Sequence, residues 1–419
     1  MIDFLSGTRI LQSRNNVKRG IYELYNNQLE ETAEISWLGM QMLRYAYKHN
    51  TYRYLPDFFL KQLEDIGLLV EKTADIAPVF CKPCHSKFPL SALNIEIVNV
   101  CNFKCNHCYG SFPKIQRPEY ISFHWLEKTL CDLNSLHTKS ISITGGEPTL
   151  HPQFIEIVQF FLKNGFEVCV FTNGSKPDVI SKLLKSTQQY HFRIKVSLDG
   201  LSDVHNAIRG NKGAFENAIK TLDNIFMNKN VSLCISTTIQ RDNIANIKEL
   251  DAFIADRYPS ALHTKDIAFP MGNGCKCAFR FEEIEDVRAC VPELFAPPKV
   301  NSGNSDAKGL LRCSGGVSQC TLMSNGKLKI CNAACDKRFE FRHNAFEVGL
   351  KYAWIHCGSN VQAFRKEKRW NTGACKLCNQ RDNCHGNDCR VLAFVYTGSE
   401  KNNNPLTCFT TTCSNEVVL

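Results

Sequence analysis

Apolar positions change their spacing twice along this chain. Over residues 1–78, short strand-like runs at Ile10–Gln12 and Gly20–Leu24 flank Asn15–Asn16, a turn pair. Helical spacing follows. Trp37, Met40, Leu43 and Tyr47 form one apolar face; Phe59, Leu63 and Ile66 form another, with Pro56 near its start and Gly67 at its stop. Short strands, then helices, then GLLVEK predict a small winged-helix-like domain.

From Leu93 the pattern alternates between β and α. The runs LNIEIVNV, SISITG, FEVCVFTNG, FRIKVSLDG, VSLCISTTI and TKDIAF read as strands. Helical stretches separate them; in Pro152–Asn164, Phe154, Ile157, Val158 and Phe161 share a face and Gly165 ends the helix. About six such units predict an α/β fold, a partial (β/α)6 barrel over residues 90–296, with its chemistry at the C-terminal ends of the strands. Pro297–Lys308 is rich in turn formers and reads as a linker. Residues 309–419 form a cysteine-rich C-terminal region.

Composition narrows the picture. The chain has 419 residues, 43% of them hydrophobic, enough for two or three domains. No apolar run of about 18 residues indicates a membrane span, and the first residues lack a signal-peptide pattern. The expected compartment is the cytoplasm. Twenty-two cysteines in such a chain read as metal ligands in preference to disulfides. The formal net charge of +9 could indicate nucleic acid, but basic residues alternate with acidic ones and form no block, so neither nucleic acid nor membrane is an expected partner.

The sharpest signal is NVCNFKCNHCYG, directly after the first barrel strand. Thiolates from Cys101, Cys105 and Cys108 can hold three corners of an iron–sulfur cubane and leave its fourth iron open. A zinc site would want a fourth ligand nearby, and His107 could supply one. CNFKCNHC resembles the CxxxCxxC signature of the radical S-adenosylmethionine (SAM) superfamily. That resemblance implies a 4Fe–4S cluster whose open iron takes the cofactor's amino and carboxylate groups. One electron then splits the cofactor to a 5′-deoxyadenosyl radical that removes hydrogen from substrate. His107 occupies the position of an aromatic residue that lies against adenine. Gly145, Gly146, Glu147 and Pro148 resemble the GGEP motif that contacts the cofactor's amino group: glycines admit close backbone approach and a carboxylate suits an ammonium. Ser197 and Asp199, in VSLDG, resemble ribose-contacting positions. Arg209 resembles an arginine near the cofactor carboxylate, and Asn173 in FTNG is a candidate lining residue or turn former.

Beyond the linker, Cys313-x6-Cys320-x10-Cys331, then Cys375-x2-Cys378-x5-Cys384-x4-Cys389 and Cys408 resemble the twin-cluster SPASM domain of sulfatase and peptide maturases. The resemblance assigns Cys313, Cys320, Cys331 and Cys389 to one auxiliary cluster, and Cys375, Cys378, Cys384 and Cys408 to another, with Cys413 a rival to Cys408. The C-x2-C pair could also begin a zinc ribbon. Three clusters with three, four and four thiolates would bring the formal charge to about +4. Cys81, Cys84, Cys275, Cys277, Cys335 and Cys357 have no assigned place; Cys131, Cys169, Cys234 and Cys290, on apolar runs, are expected in the core. Sulfatase maturases carry an aspartate base after the third auxiliary ligand; here that residue is Asn332, and Asp336 reads as a surface residue.

These parts imply a maturase that installs a thioether or carbon–carbon cross-link in a ribosomally made precursor peptide. The N-terminal domain resembles a leader-recognition domain, which adds the leader as an extra strand and raises the local concentration of the core peptide. A flavodoxin or ferredoxin would supply electrons. The alternatives are formylglycine formation by a sulfatase-type maturase, and a non-catalytic iron–sulfur electron-transfer protein.

Overall fold

A computed structural model describes residues 2–4, 9–12, 21–25, 33–49, 55–66, 68–71, 87–110, 112, 117–280, 283–292, 313–366 and 389–402. The N-terminal unit begins with strands β1 (Ile2–Phe4), β2 (Arg9–Gln12), β3 (Ile21–Tyr25) and β4 (Ala33–Ser36). Helices α1 (Trp37–His49) and α2 (Asp57–Asp65) and strand β5 (Leu69–Glu71) complete it. Strands β2, β3 and β4 pair antiparallel, as do β1 and β5. Tyr22, Leu24, Ile35, Met40, Leu43 and Leu63 make a small core. The sequence runs thus fall on strands and helices, with Met40 and Leu43 buried on α1 and Leu63 on α2 but Trp37 exposed. The Asn15–Asn16 turn lies outside the described residues.

The central sheet grows one βα unit at a time. Strand β6 (Ala92–Glu96) is followed by α3 (Phe123–Ser135), β7 (Ser140–Thr144), α4 (Phe154–Lys163), β8 (Glu167–Thr172) and α5 (Pro177–Ser186). Then come β9 (Phe192–Ser197), α6 (Ser202–Arg209), α7 (Ala214–Phe226), β10 (Val231–Ile239), α8 (Ile247–Arg257), β11 (Leu262–Ile267) and α9 (Ile284–Cys290). Strands β6 to β11 lie in chain order and pair parallel. Side chains alternate across each strand. One set, with Leu93, Ile95, Ile141, Ile143, Val170, Ile194 and Ile235, is buried in one cluster with Ile157, Phe161, Leu183 and Leu222 of the helices. Each such aliphatic side chain contributes about 1.5–3 kcal/mol of burial. The other set is polar: Asn94 and Glu96 on β6, Ser140 and Ser142 on β7, Arg193 and Lys195 on β9.

The sheet continues past these six strands. β12 (Gln319–Leu322) pairs parallel with β6, and β13 (Leu328–Lys329) pairs antiparallel with β12. Among the described residues the helices that follow are α10 (Ala345–Val348), α11 (Leu350–Ile355), α12 (Ser359–Lys366) and α13 (Arg390–Thr397). Cys320, Leu322, Leu328, Ile330 and Trp354 share one hydrophobic cluster with the β6 and β7 residues. The N-terminal unit docks through Tyr25, whose hydroxyl donates to Glu167 at 2.6 Å, and through Lys139 to Glu23 at 3.0 Å. Among the described residues no helix is long and apolar enough to cross a membrane.

Candidate active site

The loop after β6 carries Cys101, Cys105 and Cys108, all three without disulfide partners. They gather around Phe103 and Ala214. The end of α6 grips this loop: Lys104 N–H donates to the Arg209 carbonyl at 3.1 Å and Asn106 N–H to that of Ile208 at 3.0 Å. From the far side the Asn273 amide donates to the Cys108 carbonyl at 3.0 Å. Burial pushes the Cys101 thiol up to about 12, and its fellow cysteines push the same way. Burial also raises Cys105, opposed by Arg209.

The glycine motif is built against this loop. Gly146 N–H donates to the Val98 carbonyl and Glu147 N–H to that of Val100, both at 2.9 Å. A methyl group on Gly145 would lie 2.3 Å from the Val98 oxygen, and one on Gly146 would lie 2.0 Å from that of Val100. The close approach that needs these glycines is therefore to the chain itself. Glu147 is buried, and its carboxylate is engaged on both oxygens. Oε1 accepts from Thr149 N, Thr149 Oγ1 and Thr172 Oγ1; Oε2 accepts from Asn173 N at 2.7 Å. Asn173 in turn directs its amide to the Asn102 side chain at 3.1 Å and to Cys101 Sγ at 3.7 Å. It is both a turn former and a neighbour of the cysteine loop.

Asp199 and Arg209 meet each other. Arg209 Nη2 is 2.7 Å from Asp199 Oδ2, with both side chains buried, and Nη1 reaches Cys105 Sγ at 3.7 Å. Burial works against the Asp199 charge, but Arg209, His107 and His205 bring its carboxyl below the usual range. His107 Nε2 is 3.9 Å from Asp199 Oδ2, and burial lowers its imidazole to about 4, so the ring is neutral. Ser197 ends β9 and is half-buried, two residues before Asp199.

In the C-terminal region Cys331 is pushed up to about 12, by burial and then by Cys313 and Cys389, so these three thiols are neighbours. Cys320, on β12, shares its side with Leu322 and lies in the apolar core, where Arg365 is the charged group that acts on it. Cys375, Cys378, Cys384, Cys408, Cys413, Cys81 and Cys84 lie outside the described residues. Asn332 accepts a hydrogen bond from Thr321 at 2.7 Å, and Asp336 is an exposed cap for Arg338. Of the four cysteines expected in the core, Cys234 is buried and Cys169 is partly so, but Cys131 and Cys290 are exposed. Cys131 faces out because Leu126 and Leu133 take the buried side of α3.

Residues 95–254 match the Radical SAM superfamily model. The chain carries a radical SAM domain. It is also 27% identical over 326 residues to the mycofactocin maturase MftC of Mycobacterium ulcerans, spanning 73% of this chain and 84% of that protein. Over 179 residues it is 29% identical to the antilisterial bacteriocin subtilosin biosynthesis protein AlbA of Bacillus subtilis, 42% of this chain and 38% of that one. Among solved structures, Streptococcus suis SuiB bound to S-adenosylmethionine superposes with a TM-score of 0.64 at 15% identity, covering 96% of this chain and 99% of that one. SuiB is also solved with its precursor peptide SuiA. anSMEcpe with bound AdoMet and Cp18Cys peptide superposes with a TM-score of 0.57 at 16% identity, over 76% and 94% of the two chains.

The radical SAM loop suits an iron–sulfur cluster by its donor set. Three thiolates held together, Cys105 buried and Cys101 and Cys108 half-buried, would repel one another, and a cationic metal centre relieves that. Among the described residues no three His, Cys, Asp or Glu side chains converge on a point fit for a single metal ion; a cubane, wider than an ion, takes each thiolate on its own iron. His107 Nδ1 and Arg209 Nε are buried beside the loop without hydrogen-bond partners, as expected where a polar ligand belongs. Sequence reasoning passed over His205, whose Nδ1 accepts from the Asp199 N–H at 3.0 Å. The signal was its spacing: it precedes Arg209 by four residues on the same helix.

Proposed function

We propose that this chain is a radical SAM maturase of a ribosomally made peptide, forming a thioether or carbon–carbon cross-link. The observation that carries this reading is the trio of free thiols on the β6 loop. In this reading three thiolates take three irons of a cubane and the fourth iron stays open to S-adenosylmethionine. Cys101, Cys105 and Cys108 would hold that cluster, which supplies reductive cleavage of the cofactor and hence a radical able to take hydrogen from carbon. The chain's own residues do the rest. Arg209 faces Cys105 and favours its thiolate form. Asp199 fixes Arg209, and neutral His107 offers an aromatic face next to them. In this reading Ser197, Gly145 and Gly146 also serve the cofactor, with Glu147 bracing the loops through Thr149, Thr172 and Asn173.

Further support comes from relatives named as a mycofactocin maturase, MftC, and as a bacteriocin biosynthesis protein, AlbA, and from the fold shared with SuiB. In this reading the C-terminal thiols hold two auxiliary clusters that remove the surplus electron, making three 4Fe–4S clusters. Cys320 is assigned to the first of them by resemblance alone. The N-terminal unit serves as a winged-helix-like leader-recognition domain, a flavodoxin or ferredoxin is the reductant, and the cytoplasm is the compartment. Formylglycine chemistry fits less well, because Asn332 offers a carboxamide where that reaction uses an acid.

The test is co-expression with the short open reading frames beside the gene. A peptide lighter by two hydrogens is expected, together with 5′-deoxyadenosine from the reduced, reconstituted enzyme. Cofactor cleavage with every candidate peptide unchanged in mass would defeat the proposal.

A further inference from the structure

A cleft of about 260 Å³ opens beside the cysteine loop, where the radical SAM domain meets the C-terminal region. Tyr109, the residue after Cys108, lines one wall; Lys329 and Cys335 line the opposite one; Glu96 and Glu119 also line it. Cys335 Sγ lies 3.6 Å from the Tyr109 carbonyl, which ties the walls together.

Glu96 is the last residue of β6, on its polar side, and only 3% of its side chain is exposed. Lys329 Nζ lies 2.9 Å from Glu96 Oε1 with 6% exposed. Apart from this ion pair, Oε1 receives no directed hydrogen bond. A buried acid–base pair of this kind is expensive to desolvate and adds little stability, so stability alone does not account for its place in the cleft. The other carboxylates in the cleft are already engaged. Glu119 is exposed and accepts from Asn99 and Ser324, and Glu340 pairs with Lys327. Asn332 cannot accept a proton at neutral pH.

We infer that Glu96 is the proton acceptor of the cross-linking step, with Lys329 as the cation that holds its carboxylate; this rests on the peptide-maturase reading. In balance, the carbon partner loses a hydrogen atom to the deoxyadenosyl radical. The second partner, a thiol or an aromatic carbon, loses one proton to Glu96. One electron passes to a one-electron acceptor of iron–sulfur type, and one new bond to carbon is formed.

The experiment uses the full-length reconstituted enzyme and a synthetic copy of the co-expressed peptide that the wild type converts. Glu96→Gln is paired with Lys329→Met so that no lone buried charge remains, and Glu96→Asp is the conservative variant. The double variant is expected to keep its iron content and circular dichroism, and to release 5′-deoxyadenosine within about twofold of wild type. Cross-linked product is expected to fall at least a hundredfold, the usual scale for a lost acid or base, with Glu96→Asp recovering part of it. Unchanged product formation overturns the assignment, as does a parallel fall of nucleoside and product, which would make the pair structural. If the wild type itself converts no peptide, the maturase reading fails first and takes this inference with it.

Discussion

Glu147→Gln separates two jobs that one carboxylate could do. The structure gives this side chain four donors: Thr149 N and Oγ1 and Thr172 Oγ1 on one oxygen, Asn173 N on the other. An amide of the same shape has one acceptor oxygen. Its best orientation keeps the three donors on Oε1 and turns an NH2 toward the Asn173 N–H. One buried N–H is then unsatisfied, at about 1–3 kcal/mol, and the three remaining bonds lose their charge assistance. A total near 3 kcal/mol is the working figure. At roughly 2–4 °C per kcal/mol for an unfolding unit the size of residues 90–296, the thermal transition of that domain in the apo protein should fall by about 6–12 °C. Cofactor affinity, read by calorimetry on the reconstituted enzyme at a temperature where both proteins are folded, should change less than threefold. A variant that melts like wild type but binds S-adenosylmethionine tenfold more weakly would refute the bracing role and return Glu147 to the cofactor's ammonium.

Other outcomes follow from the same geometry. Arg209→Met strands a buried Asp199 carboxylate and should cost about 3–5 kcal/mol, seen as a drop in the urea midpoint; Arg209→Met with Asp199→Asn should recover much of it. Gly146→Ala puts a methyl group 2.0 Å from the Val100 carbonyl, so it should lower both the melting temperature and the iron held after reconstitution. Cys331→Ala should lose about four irons per chain, one cubane, while cofactor cleavage persists. Saturating S-adenosylmethionine, at a hundred times its Kd, should stabilise the reconstituted wild type by about 2.7 kcal/mol, and Cys101→Ala not at all.

Much of this was legible in the sequence because the signals are local. Six strands read as short runs rich in apolar residues, although the sixth, β11, is not buried, and the cysteine spacing stands on one loop. What the sequence could not show are contacts between residues distant in the chain. Thr172 and Asn173, 25 and 26 residues from Glu147, engage its carboxylate. The end of α6 brings Arg209 to within 2.7 Å of Asp199. Strands β12 and β13 are too short to show a period, so their place beside β6 was hidden. Cysteine counts as apolar in a pattern, although Cys131 and Cys290 take the outer side of their helices.

The central claim is that Cys101, Cys105 and Cys108 jointly hold a redox cluster with one open iron. Its most direct test is anaerobic reconstitution of wild type and of the variant with all three changed to alanine, followed by dithionite, S-adenosylmethionine and quantification of 5′-deoxyadenosine. The account predicts nucleoside release by wild type and none above background by the variant, with about four fewer irons bound. Equal release from both proteins, or zinc in place of iron at that loop, would contradict it.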